Sequence, residues 1–156
     1  MAKVGRAARV ASRQRVETLS GAKTIASAET GELYLVGAAS TVTLPSPQDG
    51  AYFKFIFSAD VTNASALLIK SHAAGSGDCG GAVKISVIAS TGAVTDMAAA
   101  AQCIPGAGFD KLTIGHSGKK VQCGSFVECY CDGTNWFITG HIIAEHANVT
   151  AVFGSQ

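Results

Sequence analysis

Most of the chain after residue 16 consists of short runs in which apolar and polar residues alternate. Residues 52–57 are the clearest example, because the alternation places three phenylalanines on one face of a strand and a tyrosine, a lysine and an isoleucine on the other. A period of two residues predicts β-strands with one face in the core. The second face is only partly polar, which predicts that another sheet or subunit covers it.

Clusters of Gly, Asn, Asp, Ser and Pro separate these runs and predict where the strands end. Asp132-Gly133 is the strongest turn signal, since both residue types tolerate the positive φ of a tight reversal, and it predicts a hairpin of residues 125–131 and 135–143. The pattern predicts about nine such segments. They are 16–19, 23–26, 33–36, 41–44, 52–58, 67–71, 83–89, 111–114 and the hairpin.

Helix-forming signal is weak, since the Ala-rich residues 95–102 are long enough for only a turn or two. Regular strand spacing without long helices predicts one all-β domain over residues 17–146, a β-sandwich or jelly-roll-like fold. A 156-residue chain with 47% apolar residues can bury the core of such a domain. We expect residues 1–16 to form an extended or partly helical arm and residues 147–156 to form a C-terminal tail.

Charge is distributed unevenly along the chain. The first sixteen residues carry a charge of +5 and no acid, whereas the remainder has seven lysines against eleven acids. The basic residues of the arm are Lys3, Arg6, Arg9, Arg13 and Arg15. Such an arm suits an acidic protein surface. Nucleic acid is a disfavoured partner, because the arm has no aromatic side chain to stack on bases, and no apolar run approaches the ~20 residues of a membrane span.

One segment suggests enzymatic chemistry. Residues 77–81, Gly-Asp-Cys-Gly-Gly, resemble the nucleophile loop of chymotrypsin-like cysteine proteases, in which glycines let backbone N–H groups face an oxyanion. That family needs a histidine and an acid from a preceding barrel, but only His72 precedes Cys79. A base from His116, His141 or His146 would require an unrelated fold. We therefore expect a glycine-rich surface turn here, and no enzyme.

The five cysteines raise the alternative of a metal site. Cys129 and Cys131 share one face of a strand, but the chain lacks the paired C-x₂₋₄-C knuckles of structural zinc. The other three are Cys79, Cys103 and Cys123. We expect the cysteines to be small buried apolar side chains, and we predict no metal or other cofactor.

Three segments carry a resemblance to a known family. They are residues 27–36 (SAETGELYLV), 41–47 (TVTLPSP) and 124–140, which ends in DGTNWFITG. Over about residues 17–143 the chain resembles the capsid decoration, or cement, proteins of tailed bacteriophages and related β-rich head or tail-fibre modules. The resemblance implies a compact, commonly trimeric β domain on the outer surface of the virion, where it binds and stabilises the lattice of the major capsid protein. The basic arm would then lie across neighbouring capsid subunits.

A second function stays open beside this one. Tyr52, Tyr130 and Trp136 are candidate interface or glycan-contact aromatics, which would suit a receptor-binding module of a tail or head fibre that recognises host glycan. For the lone tryptophan, a core or interface position is favoured over a sugar platform. The number of copies per virion separates the two functions, since a cement protein is present in hundreds of copies and a fibre tip in few.

Overall fold

The computed structural model describes residues 14–88, 94–96 and 101–156, with the backbone alone at 94–96 and 101–103. These residues form fifteen β-strands and one short 3-10 helix, at Ser27–Glu29. The strands are β1 Val16–Leu19, β2 Ala22–Thr24, β3 Leu33–Val36, β4 Ser40–Thr43, β5 Asp49–Phe57, β6 Val61–Thr62, β7 Leu67–Lys70, β8 Cys79–Ile88, β9 Val94–Asp96, β10 Ala101–Cys103, β11 Lys111–Gly115, β12 Lys120–Val121, β13 Phe126–Asp132, β14 Trp136–Ala144 and β15 Thr150–Gly154. The described part of the chain is all-β, as the alternation predicts.

The larger of two sheets contains ten strands. Its main path runs β1-β3-β5-β13-β14-β12-β6. β14 also pairs in parallel with β8, from Trp136 opposite Cys79 to Ala144 opposite Val87, and β8 pairs with β9 and β10. The predicted hairpin is confirmed, because β13 and β14 are antiparallel neighbours on either side of Asp132-Gly133.

The smaller sheet contains five strands in the order β15-β11-β7-β4-β2. Both sheets are mixed, since β1–β3, β3–β5, β2–β4, β4–β7 and β8–β14 are parallel pairs. The predicted C-terminal tail is wrong, because β15 pairs with β11 and buries Ala151 and Phe153. The short helix considered at 95–102 is wrong at both ends of that range, which belong to β9 and β10. Residues 97–100 lie outside the described part of the chain.

The inner faces of the two sheets share one hydrophobic core. Phe53, Phe55 and Phe57 are fully buried, which confirms the face predicted for β5. Tyr34 stacks on Phe55 with ring centroids 5.3 Å apart, and Trp136 lies 5.7 Å from Phe53. These large rings bury most area per residue, so the central strands of the larger sheet dominate the core.

Ion pairs join the two sheets at one edge of their shared core. Lys23 of β2 lies opposite buried Val42, and Glu17 of β1 lies opposite buried Tyr34, so both side chains point inward from edge strands. Lys23 Nζ lies 2.6 Å from Glu17 Oε2 and 2.7 Å from Glu29 Oε1. Inward-pointing charges of this kind also discourage a further strand from adding to the edge.

Close backbone packing at Gly81 gives a stability prediction. Gly81 has φ +137°, and a Cβ there would overlap the carbonyl of Ile138 on the neighbouring strand. We expect Gly81→Ala to lower the free energy of unfolding by about 2 kcal/mol more than a strain-only control. Gly118→Ala is that control, because Gly118 has φ +78° with open space around it and should cost about 1 kcal/mol. Urea unfolding measures both, and equal losses would contradict the predicted overlap.

Candidate interaction surface

The outer face of the larger sheet carries aromatic side chains in line across three strands. Tyr52 of β5 is in register with Tyr130 of β13, and Tyr130 is in register with Phe137 of β14. The rings of Tyr52 and Tyr130 are 5.0 Å apart. Tyr130 is 43% exposed and Phe137 41% exposed, whereas Tyr52 is half-buried. We call these three residues the aromatic row.

Apolar surface continues beyond Phe137. Gly80 of β8 is in register with Phe137, and Pro105 packs where a Cβ of Gly80 would lie. Ile104, the residue before Pro105, is 76% exposed. Apolar surface therefore continues from the aromatic row, past a fourth strand, onto the segment that follows β10.

The opposite end of the aromatic row meets the first described residues. Gly31 donates its N–H to the carbonyl of Tyr52 at 2.7 Å, and the Gln14 side-chain amide donates to the carbonyl of Gly31 at 3.3 Å. Gln14 and Gly31, which precede β1 and β3, thus connect the first described residue to the Tyr52 end of the aromatic row. The chain enters the described body at this end.

A carboxylate holds the two tyrosines of the aromatic row. Glu128 lies next to Tyr130 on the same face of β13 and accepts hydrogen bonds from Tyr52 Oη at 3.2 Å and Tyr130 Oη at 2.9 Å. Lys54 Nζ lies 2.8 Å from Glu128 Oε1 and 5.0 Å from the ring centre of Phe126. The hydrogen bond from Lys54 lowers the pKa of Glu128, with the tyrosine hydroxyls adding to the effect and burial opposing it.

Both tyrosine hydroxyls remain protonated donors near neutral pH. Burial, followed by the charge of Glu128, raises the pKa of Tyr52 to about 12. The hydrogen bond to Glu128, followed by burial, also raises the pKa of Tyr130. A fixed pair of rings with bound hydroxyls provides a stiff, amphipathic contact surface.

Comparison with known proteins adds no family. No protein-family model matches the chain, and no curated protein matches it significantly. Among the described residues, no helix has the length and apolar character needed to cross a membrane.

The structure describes one of the five basic arm residues. Lys3, Arg6, Arg9 and Arg13 lie outside the described part of the chain. The Arg15 side chain is exposed and its Nη1 lies 2.8 Å from Oε1 of buried Glu32. The boundary predicted at residue 16 is too late, because the Arg15 carbonyl already accepts a hydrogen bond from Leu33 at the start of the sheet.

The candidate aromatics divide between the surface and the core. Tyr52 and Tyr130 lie on the outer face, but Trp136 is fully buried, so its role as a glycan contact is wrong and its core position is confirmed. Sequence reasoning missed Phe137 as a surface residue. The signal was present in the hairpin, since strand alternation turns the neighbour of a buried Trp136 outward and the turn sets it opposite Tyr130.

Cys79 begins a buried strand instead of a surface turn. The predicted exposed turn at residues 77–81 is wrong, because the stretch from Gly77 to Gly80 is buried and its glycines permit close contact with the segment that contains Pro105 and Gly108. Asp78 Oδ2 accepts a hydrogen bond from Ser71 Oγ at 2.8 Å and lies 3.4 Å from His72 Nδ1. Ser71 Oγ also lies 3.1 Å from the same ring nitrogen. A serine-protease relay needs the serine and the acid on opposite nitrogens of the histidine, so this cluster lacks that geometry.

Cys129 and Cys131 are buried on the inner face of β13, as expected, whereas Cys123 is exposed. In the described residues, the group that brings three metal-ligand side chains together is Glu17, Glu29 and Glu32. Lys23 and Arg15 already pair with these carboxylates. The group is therefore explained as the ion-pair network at the sheet edge.

Thiol accessibility tests the placement of the cysteines. Burial raises the pKa of Cys129 well above its usual value, and Cys79 and Cys131 are also buried. At neutral pH we expect a water-soluble thiol reagent to label Cys123 at least about tenfold faster than these three, since reaction needs an accessible thiolate. Mass spectrometry of the labelled peptides measures the rates. Labelling of Cys79 at the rate of Cys123 would contradict its buried position and revive the nucleophile hypothesis.

The lowered pKa of Glu128 predicts a pH-dependent contribution to stability. A carboxylate with a folded-state pKa below its unfolded value stabilises the fold above the unfolded value of about 4.3, and this contribution disappears as pH falls through the folded pKa. Glu128→Gln should therefore be less stable than the wild type near neutral pH, with the difference shrinking in acid. Lys54→Met removes the main cause of the shift and should show the same convergence. A constant difference at every pH, measured by urea unfolding, would rule out this coupling.

Proposed function

We propose that the chain is a virion structural protein that decorates a phage capsid, binding the outer surface of the major capsid lattice and stabilising it. The observation that supports this most strongly is the aromatic row, exposed on a stiff sheet beside the point where the basic arm joins the body. Exposed aromatic surface of this kind marks binding sites in proteins. The motifs that resemble cement proteins are the reason for proposing the major capsid protein as the partner.

Trimer formation and a jelly-roll-like sandwich belong to the same proposal. Two sheets around one core are compatible with such a sandwich. The parallel pairs β3–β5 and β8–β14 depart from an ordinary jelly roll, which is antiparallel. A trimer would give three aromatic rows and three arms, so that weak individual contacts would add through multivalency.

A glycan-binding fibre module is the second candidate, and the same surface favours it. Tyr130 and Phe137 present partly exposed ring faces, and the Glu128 carboxylate beside them is a hydrogen-bond acceptor of the kind that binds sugar hydroxyls. Both functions use one surface, so the copy number and position on the virion must separate them. Electron microscopy of the virion that contains this chain gives both. Hundreds of copies on the head support decoration, and a few copies at a fibre tip would overturn it.

Binding to capsids that lack the protein tests the role of the aromatic row. We expect a Tyr130→Ser, Phe137→Ser double variant to bind such capsids at least about tenfold more weakly, because buried aromatics dominate interface energy. Val152→Ser is the matched control, since Val152 is 54% exposed on the outer face of the smaller sheet. Cosedimentation measures the affinity and circular dichroism checks the fold. Equal binding by the double variant and the control would remove the aromatic row from the interface.

Removal of the basic arm completes that test. A chain lacking residues 1–13 keeps the described strands, and its binding to capsids should be much reduced if Arg6, Arg9 and Arg13 anchor the arm. The circular dichroism spectrum and unfolding midpoint of this chain should stay close to those of the wild type. Undiminished capsid affinity in a folded, truncated protein would contradict the anchoring role.

A further inference from the structure

We propose that Asp49 is a site of spontaneous chemical modification, at which the folded protein converts an aspartate into isoaspartate through a succinimide. The chain has two Asp-Gly pairs, Asp49-Gly50 and Asp132-Gly133, whose intrinsic reactivity is similar because the same two residue types are joined. The fold leaves the first pair free to react and restrains the second. The inference concerns the chemistry of the chain itself, so it does not depend on the capsid proposal.

The reaction takes place between neighbouring residues and needs only water. The amide nitrogen of Gly50 attacks Cγ of the Asp49 carboxylic acid and loses its proton, and a carboxyl oxygen leaves as water, which closes the succinimide ring. Water then adds to one of the two ring carbonyls. Opening at the carbonyl next to Cα gives isoaspartate, in which the backbone continues through Cβ and Cγ, and opening at Cγ restores aspartate. Glycine favours the attack because it has no Cβ to hinder its nitrogen.

Asp49 and Gly50 lie in a turn at the start of β5. The Gln48 carbonyl accepts a hydrogen bond from the Ala51 N–H at 3.1 Å, and Gly50 has φ +74°, as the third residue of a type II turn requires. Both residues are exposed, and nothing lies within 4 Å of the place of a Cβ at Gly50. In the described part of the chain, the Asp49 carboxylate has neither a hydrogen bond nor an ion pair. The carboxyl group is therefore free to turn towards the Gly50 nitrogen.

A bulge at this point lets the backbone absorb the change. Tyr130 is in register with Tyr52 and Asp132 with Asp49, so β13 has one residue between these pairs whereas β5 has two. The extra residue of β5 already interrupts the ladder here. Closure of the succinimide ring therefore disturbs only the end of β5, while the pairing from Tyr52 onward remains.

Asp132 is held in place by its own turn. Its Oδ1 accepts hydrogen bonds from the backbone N–H groups of Thr134 at 2.9 Å and Asn135 at 2.7 Å. The N–H of Asn135, followed by that of Thr134, lowers the pKa of Asp132, so the protonated form that can lose water is scarce. Attack on Cγ would also have to break two charge-assisted hydrogen bonds. The same pair of residue types is therefore protected at this position.

Incubation of the full-length protein in H₂¹⁸O tests the inference. Each passage through a succinimide puts one ¹⁸O atom into the product, so mass spectrometry of the peptides follows both positions in one sample, and electron-transfer fragmentation identifies isoaspartate. In the folded protein near neutral pH, we expect ¹⁸O to enter Asp49 at least about tenfold faster than Asp132, because two charge-assisted hydrogen bonds hold Asp132. Equal rates, faster labelling of Asp132 or no labelling of Asp49 would overturn the proposal.

The same incubation in denaturant separates the effect of the fold from that of the sequence. Unfolding removes the hydrogen bonds that hold Asp132, so the two Asp-Gly pairs should then be labelled at similar rates. If the difference between Asp49 and Asp132 persisted in the unfolded chain, the flanking residues would be its cause, and the role assigned to the fold would be wrong.

A matched pair of glycine variants tests the succinimide route. Gly50→Ala places a methyl group beside the attacking nitrogen and should lower the yield of isoaspartate at position 49 severalfold, whereas Gly133→Ala should leave that yield unchanged. Both glycines have positive φ, +74° and +92°, so the two variants carry similar backbone strain. Circular dichroism checks that each variant is folded, and the comparison within the wild-type chain does not depend on them. An undiminished yield at position 49 in folded Gly50→Ala protein would overturn the proposal.

Discussion

Burial of alternate side chains in the central strands of the larger sheet is the constraint on which the rest of the structure depends. Phe53, Phe55 and Phe57 face the core along β5, while Val127, Cys129 and Cys131 do the same along β13. Because side chains alternate strictly, slipping one strand by one residue would expose all of its buried residues, so register is fixed by the core. The outer side chains are then fixed as well. The register that buries the inner side chains therefore also aligns the aromatic row on the outer face.

Charged groups protect a sheet edge and order side chains on the outer face, where the apolar core has no effect. At the edge formed by β1 and β2, Lys23 lies between Glu17 and Glu29, and both edge strands are short. Burial lowers the pKa of Lys23, but the hydrogen bonds that its ammonium donates to the two carboxylates outweigh this effect, and the net pKa is raised. The lysine therefore stays charged, and the edge is protected from further strand pairing. On the outer face, by contrast, Lys54 and Glu128 order the tyrosines.

Local sequence patterns correctly predicted the structural features that depend on residues close together in the chain. The alternation in β5 and the Asp132-Gly133 hairpin are both confirmed, since each depends on residues that are close in sequence. The parallel pairing of β8 with β14 joins residues more than fifty positions apart, and no local signal specifies it. The start of β8 was missed because its glycines have low strand propensity and are present for close packing instead. β15 was missed because only Ala151 and Phe153 carry its apolar face.

Prediction of the candidate surface requires both the local sequence pattern and the pairing of strands that are distant in sequence. Tyr52 and Tyr130 could be selected from composition, but their alignment with Phe137 needs the register of three strands. That alignment matters for binding, because the shared carboxylate of Glu128 already orders the tyrosines and little side-chain entropy remains to be lost. The Lys54–Glu128 pair would lose its remaining water in a complex, so it contributes little net affinity. Affinity for a partner should therefore come from the rings, and selectivity from the charges around them.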